Sequence, residues 1–197
     1  MRTGHNDRMA SHVALLRGIN VGGKNKVPMA ELREVVTSLG HTEVTTYIQS
    51  GNVLFSTDDI DPGKLASDLE TAIAARFGIT SPVVVLSREE LARILDNNPY
   101  SHEPNPKFVH VVFLGAEPSQ ELLDRIRAVE SAAAARGSRD TFAAIGNALF
   151  LHTPDGYGTS ELSEALFRIV GKGTYQLAAT ARNWATSTTL LSLCEKQ

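Results

Sequence analysis

The sequence has little cysteine, few aromatic residues and no long apolar run. Its single cysteine, Cys194, cannot form an internal disulfide, which indicates a reducing compartment, and we expect its thiol to be a small buried side chain. No apolar run approaches the roughly 18 residues that cross a bilayer. The first eleven residues lack the apolar stretch of a signal peptide. We therefore expect a cytoplasmic protein without membrane contact, with a flexible leader at 1–11 and Met9 as a candidate start.

The chain also lacks a strong excess of charge of either sign. Its formal net charge is −3, so nothing global predicts a nucleic-acid or membrane partner. Aromatic residues make up 6% of the sequence, whereas a sheet that reads RNA needs stacking aromatics. No two histidines are spaced i, i+4 and no CxxC motif is present, so no metal is expected. His110 and His152 are interpreted as structural residues with satisfied ring nitrogens.

Hydrophobic periodicity predicts the same order of elements twice: strand, helix, strand, tight turn, strand, helix. The predicted strands are 12–17, 44–49, 53–56, 82–86, 108–114, 141–145 and 148–152. The predicted helices are 28–39, 65–77, 88–95, 121–135, 160–170 and 181–193. This order is typical of ferredoxin-like units. It predicts an α+β fold of two such units in tandem, a duplication, with subdomains 12–96 and 108–197 joined by a turn-rich linker, 97–107.

The loop after the first strand reads RGINVGGKNK. Gly18, Gly23 and Lys24 match part of a phosphate-binding P-loop, but Asn25 stands where that motif needs a Ser or Thr for magnesium. Pro28, a good first residue of a helix, places the helix start four residues beyond the Gly-Lys pair. The spacing therefore argues against a P-loop nucleotide hydrolase.

Three cations and no acid lie between residues 12 and 30, namely Arg17, Lys24 and Lys26. They make the loop locally positive in a chain of net negative charge. The loop glycines allow backbone N–H groups to approach a ligand closely. The pattern indicates anion binding, and the alternative is a solvated connection whose glycines serve only the turn.

Polar residues follow the second predicted strand. Alternation places Ile48 toward the core and Tyr47 and Gln49 on the other face. The first two strands of a right-handed βαβ unit run in the same direction, so the glycine-rich loop and the turn at 50–52 should face each other at one end of the sheet. The alternative is that these polar residues only build a hairpin.

A third segment reads TARNW. We expect Thr180 to be a helix N-cap, with Arg182 and Asn183 in the first turn, where amides and the macrodipole favour an anion. A cation there requires an acid or a ligand, and the sequence has no acid between 164 and 195. Trp184 is interpreted first as a core residue, with a stacking platform for a base as the alternative.

The strings RGINVGGKNKVPM, YIQSGNV and TARNW resemble the bacterial family catalogued as domain of unknown function 1697, over about residues 12 to 193. The resemblance implies duplicated ferredoxin-like units and no established activity, substrate or cofactor. Two departures, Glu161 and the segment 185–189, remove lysines that relatives tend to have near the C-terminal helices. The resemblance implies the following signature residues: Arg17, Gly18, Asn20, Gly22, Gly23, Gln49, Ser50, Gly51, Asn52, Arg182, Asn183 and Trp184.

These patterns together predict a binder of a phosphorylated or anionic, nucleotide-like small molecule at one end of the first sheet. The alternatives are an enzyme using the same site, although the three segments contain no His or acid as a general base, and a nucleic-acid-binding or protein-interaction module. The sequence assigns no catalytic residue, cofactor or oligomeric state. The predicted ligand-binding residues are Arg17, Gly18, Asn20, Gly22, Gly23, Lys24, Asn25, Lys26, Tyr47, Gln49, Ser50, Asn52, Arg182, Asn183 and Trp184.

Overall fold

The computed structural model describes residues 10–171 and 177–195. Most of the predicted leader, including Met9, lies outside this part of the chain. Within it, eight strands form two four-stranded antiparallel sheets. The strands are β1 (His12–Leu16), β2 (Thr42–Tyr47), β3 (Asn52–Ser56), β4 (Val83–Ser87), β5 (Val109–Leu114), β6 (Thr141–Ile145), β7 (Ala148–His152) and β8 (Ala179–Asn183). The helices are α1 (Met29–Ser38), α2 (Pro62–Phe77), α3 (Arg88–Asp96), α4 (Gln120–Ala134), α5 (Glu161–Val170) and α6 (Trp184–Cys194).

The two sheets have the same strand order, β2-β3-β1-β4 and β6-β7-β5-β8. Each is packed with helices, as in two tandem ferredoxin-like units, so the predicted α+β fold class is confirmed. The pairing register also repeats. His12 pairs with Ser87, the N-cap of α3, and His110 pairs with Asn183, the N-cap of α6. Residue 12 of the first half therefore corresponds to residue 110 of the second.

Local signals place several of the helix ends. Asp61 caps α2 by accepting hydrogen bonds from the amides of Gly63 and Lys64, and Gly78 ends that helix in the left-handed region with φ +66°. The hydroxyl of Ser87 accepts a hydrogen bond from the amide of Glu90 at the start of α3, just before the predicted helix 88–95. These caps satisfy amides and carbonyls that a helix end otherwise leaves unpaired.

Three apolar clusters form the interior of the described part of the chain. One lies between the first sheet and α1 and α2, and another lies between the second sheet and α4 and α5. The third, here called the shared core, joins the remaining faces of both sheets with α3 and α6, and includes Leu15, Leu54, Phe113, Phe150 and the buried thiol of Cys194. Because each sheet covers a face of the other, we propose that 12–96 and 108–197, joined by 97–107, are subdomains of one folding unit.

The prediction of a final helix at 181–193 is wrong at its start. Residues Ala179–Asn183 form β8, and the predicted cap Thr180 lies inside this strand. The helix begins at Trp184, and its cap is Asn183, whose side chain accepts a hydrogen bond from the amide of Thr186 at 2.7 Å. The alanines favour a helix, but the backbone of this segment pairs with β5, and that tertiary pairing outweighs local propensity.

The second strand ends earlier than predicted. β2 stops at Tyr47, and Ile48 adopts φ +48° with 50% of its surface exposed, so its expected place in the core is wrong. Tyr47 instead packs against the shared core. The two-residue alternation fails because a left-handed residue ends the pleat. A β-branched side chain is strained in that region, so Ile48 is held there by its surroundings.

No helix in the described ranges is both long and apolar enough to cross a bilayer.

Candidate functional site

The glycine-rich loop folds as a small hairpin. The amide of Lys24 donates to the carbonyl of Val21 at 3.0 Å, and the amide of Asn20 donates to the carbonyl of Asn25 at 3.0 Å. The two central glycines, residues 22–23, have φ +57° and +76°, which a type I′ turn requires. Some loop amides are therefore used inside the loop, unlike those of a phosphate cradle.

Asn20 fastens this loop to the turn that follows β2. Its Nδ2 group donates to the carbonyls of Val27 and Gln49, both at 2.9 Å, and its Oδ1 accepts from the amide of Val27 at 2.9 Å. Asn25 adds a bond from Nδ2 to the carbonyl of Gly18 at 2.9 Å. Both Nδ2 protons of Asn20 are used, so Asn20 shapes the site without an N–H left for a ligand.

Arg182 lies at the centre of the three segments and is 8% exposed. Its Nε donates to Asn52 Oδ1 at 2.5 Å. One terminal nitrogen donates to Thr180 Oγ1 at 2.7 Å and to the carbonyl of Ala181 at 2.8 Å. The other donates to the carbonyl of Leu16 at 2.8 Å and to the carbonyls of residues 50 and 51 at 3.1 and 3.3 Å. All of its N–H groups are therefore occupied.

The partners of Arg182 differ from those expected. The sequence predicts an acid or a ligand, whereas every hydrogen-bond partner of its side chain in the described ranges is a neutral oxygen. Burial lowers the pKa of Arg182 to about 10, which leaves it charged at neutral pH. The buried Asn52 is equally committed, because its Nδ2 donates to the Tyr47 carbonyl and to Ser50 Oγ, both at 3.0 Å. This network ties the loop, the turn and β8 together.

Two clefts lie on either side of the loop. The first, here called the lysine cleft, has a volume of about 580 Å³ and opens beside the start of α1. The second, here called the arginine cleft, has a volume of about 290 Å³ and lies between the two halves of the chain. The lysine cleft is lined by Asn20, Gly23, Lys26, Val27, Pro28, Met29, Ala30 and Gln49. The arginine cleft is lined by Leu16, Arg17, Gly18, Ile19, Val21, Ser50, Phe167, Thr180, Ala181 and Arg182.

The structure thus divides the predicted set of ligand-binding residues. Some line one of the clefts, and others line neither. Asn183 caps α6, and the Trp184 ring lies 6.3 Å from that of Phe150 against the shared core. Glu161, a departure from the family pattern, forms an ion pair with Arg136. The predicted residues that line neither cleft are Gly22, Lys24, Asn25, Tyr47, Asn52, Asn183 and Trp184.

Several lining residues were not predicted from the sequence. Phe167 on α5 lies under the guanidinium of Arg17, 150 positions earlier in the chain by residue number, with 4.7 Å between the Arg17 Cζ atom and the ring centroid. No local pattern could have shown this contact, because it depends on how the two halves pack. At the lysine cleft a signal existed. Pro28 has no side-chain group that can cap α1, and the helix begins with no side-chain cap.

Two histidines were predicted to be satisfied structural residues. His152 Nε2 lies 2.7 Å from Glu103 Oε2, which fits. His110 stacks on Tyr157 at 3.9 Å between ring centroids, but its buried Nδ1 has no hydrogen-bond partner among the described residues, so that part of the prediction is wrong. In the described ranges, no three His, Cys, Asp or Glu side chains are grouped as a metal site would need.

His110 makes folding stability depend on pH. Burial lowers the pKa of its imidazole to about 4, whereas the unfolded chain has the ordinary value of about 6.5. Below about pH 6.5 the unfolded state binds more protons, so stability falls as the pH drops from about 6.5 to about 4. In urea titrations at pH 7.5 and pH 5, we expect the His110→Phe variant to lose less stability than the parent. An unchanged pH dependence would contradict this account.

The chain is similar to known proteins in sequence and in fold. The model of the family described as Protein of unknown function (DUF1697) matches residues 9–150. A solved structure, that of the conserved bacterial protein SP0830 from Streptococcus pneumoniae, is similar with a TM-score of 0.68 and 27% sequence identity, covering 94% of this chain and 99% of that chain. No protein with a curated description matches. Since the family model spans more than half of the sequence, including the loop and the turn that meet at Arg182, the chain belongs to the DUF1697 family.

Proposed function

We propose that this protein binds a phosphorylated or otherwise anionic, nucleotide-like small molecule in the lysine cleft. The observation that carries the proposal is a pair of side chains, Lys26 and Gln49, that line the cleft and have no hydrogen-bond or ion-pair partner in the described ranges. The cleft volume of about 580 Å³ is in the usual range of small-molecule sites. Its two polar side chains, one positive and one an amide, are typical of the few groups that orient a ligand in such sites.

The start of α1 adds to the attraction for an anion. Pro28, Met29 and Ala30 line the cleft, and no side chain in the described part of the chain caps the amides of the first turn. A helix N-terminus carries a partial positive charge and offers N–H donors. The first-turn acid Glu31 is paired with Arg76 at 2.6 Å. Lys24, which is exposed and also without a partner in the described ranges, adds charge from the loop.

The lining residues favour binding over turnover. None of the eight is a His, Asp, Glu or Cys, so the described part of the cleft offers no ordinary general base. We propose a carrier, sensor or regulatory role in the cytoplasm, a compartment consistent with a single, buried and unpaired cysteine.

The test is a thermal-shift titration with nucleoside diphosphates and triphosphates, sugar phosphates and pyrophosphate. A ligand present at 100 times its dissociation constant adds about 2.7 kcal/mol to the stability of the folded state. For a chain of this size that corresponds to a rise in Tm of roughly 5–10 °C. We expect at least one compound to give such a shift, and we expect Lys26→Ala to abolish most of it.

The matched control is Lys107→Ala, which removes an exposed lysine that lines neither cleft. It should leave the shift unchanged, and Lys24→Ala should weaken it less than Lys26→Ala does. The proposal is overturned if no compound in the panel raises Tm, or if the shift survives in Lys26→Ala.

A further inference from the structure

The arginine cleft has a different character from the lysine cleft. It is formed by both halves of the chain: β1 and the loop from the first half, and α5 and β8 from the second. Two cations line it, but Arg182 has no N–H left to offer. Arg17 is therefore the single positive group available to an occupant among the described residues.

The side chain of Arg17 is prepared for a planar anion. Its guanidinium lies over the Phe167 ring, and no hydrogen bond or ion pair of this side chain occurs within the described ranges. The cation–π contact with the ring face restrains the position of the guanidinium, and its fork of N–H groups stays open to an occupant of the cleft. That fork matches the two oxygens of a carboxylate, which it binds through two parallel hydrogen bonds.

The rest of the cleft is mainly apolar. Leu16, Ile19, Val21, Phe167 and Ala181 supply hydrocarbon walls. Val21 is 67% exposed, so an occupant would cover apolar surface that now faces water. Such walls around one charge select a ligand with an apolar body and one anionic head.

Ser50 supplies a further polar group. Its hydroxyl oxygen accepts a hydrogen bond from Asn52 Nδ2, which leaves its proton available to an anionic acceptor.

The duplication provides an internal comparison. The amide of Arg17 donates to the carbonyl of Pro82 at 3.0 Å, and the amide of Gly115 makes the same bond to Ala178 at 2.8 Å, so these two positions correspond. The cleft beside Gly115, of about 360 Å³, is lined by Glu117, and its one cation, Arg93, is 4.0 Å from Glu90. Where the first half has the guanidinium of Arg17, the second half has Gly115, which has no side chain.

We propose that the arginine cleft is a second ligand site, separate from the lysine cleft, for a small carboxylic acid with an apolar body. Arg17 binds the carboxylate through two hydrogen bonds, Phe167 holds the guanidinium in position, and the apolar walls cover the body of the ligand. This inference does not rest on the function proposed for the lysine cleft.

The experiment is a calorimetric titration of the full chain with benzoate and hexanoate, each beside its primary amide. We expect both acids to bind and the uncharged amides to bind at least tenfold more weakly. Arg17→Ala should weaken binding of the acids at least tenfold. Arg17→Lys should recover little of it, because an ammonium cannot replace the fork. Arg168→Ala, at the exposed position next to Phe167, is the matched control and should bind as the parent does.

Each contrary result has a defined meaning. The proposal is overturned if the acids and the amides bind with equal affinity. It is also overturned if Arg17→Ala binds the acids as the parent does, or if neither acid binds. A loss in Lys26→Ala equal to that in Arg17→Ala would show a single site and overturn the separation. The melting temperature of each variant, measured without ligand, establishes that it is folded. A failed phosphate screen at the lysine cleft changes none of these outcomes.

Discussion

Replacing Arg182 with methionine is expected to lower the free energy of unfolding by about 3 kcal/mol, although the substitution removes a charge from the interior. The reason lies in the acceptors left behind. Asn52 Oδ1 loses the only donor it has among the described residues, the buried Leu16 carbonyl loses a bond of 2.8 Å, and a buried acceptor that loses its donor costs about 1–3 kcal/mol. Recovery of the guanidinium's desolvation offsets part of this loss. Tm should fall by roughly 6–12 °C, measurable by calorimetry.

A matched control and a double variant separate this network from a general effect of losing an arginine. Arg127→Met removes an exposed arginine paired with Asp124 at 2.8 Å, and should cost less than about 1 kcal/mol. In a double-mutant cycle, Asn52→Ala and Arg182→Met should lose less together than the sum of the two single losses. Additive losses would mean that the two side chains do not stabilise each other.

The second large effect is expected at Gly51, where alanine should cost about 2–5 kcal/mol. Gly51 has φ +80°, and a Cβ atom there would lie 2.7 Å from Leu16 Cβ and 3.0 Å from Ile19 Cδ1. The left-handed conformation accounts for about 1–2 kcal/mol. Overpacking accounts for about 1–3 kcal/mol more, because a Cβ atom close to the backbone cannot swing aside. Urea unfolding of Gly51→Ala measures the sum.

Gly40→Ala isolates the backbone contribution. Gly40 also has a positive φ, +91°, but a Cβ there would meet no atom within 4 Å. We expect it to cost only about 1–2 kcal/mol. If the two variants lost the same free energy of unfolding, the close approach of Gly51 to Leu16 would make no contribution to the cost of the substitution.

The sequence was sufficient for most of the fold, because the elements it predicted have strong local signals. The hairpin around residues 146–147 is bounded as predicted by Thr141–Ile145 and Ala148–His152. The caps at Ser87 and Ser160 mark the starts of α3 and α5. β8 was not predicted because its strand conformation depends on pairing with β5, which is far away in the sequence. The position of Ile48 was predicted wrongly because an isoleucine in the left-handed region interrupts the two-residue alternation of a strand.

The site could be predicted only as a meeting of segments. Since β1 and β2 both run antiparallel to β3, they run in the same direction, and the loop and the turn meet as the sequence predicts. The sequence could not show which of their side chains bond inside the protein and which line a cleft. The packing of β8 against the first half decides whether the N–H groups of Arg182 bind a ligand or bind oxygens of the protein. The same packing places Arg17 and Lys26 in different clefts.

The bond from Arg182 to Asn52 spans 130 positions, which has a consequence for the order of events during synthesis. The turn at 50–52 leaves the ribosome long before the guanidinium that will satisfy it has been made. At translation rates of about 5–20 residues per second, the delay is on the order of 10 s. Until then, water must hydrate the oxygens of residues 16, 50 and 52. Nascent chains would therefore reach their final resistance to proteolysis late, in one step, when β8 inserts beside β5.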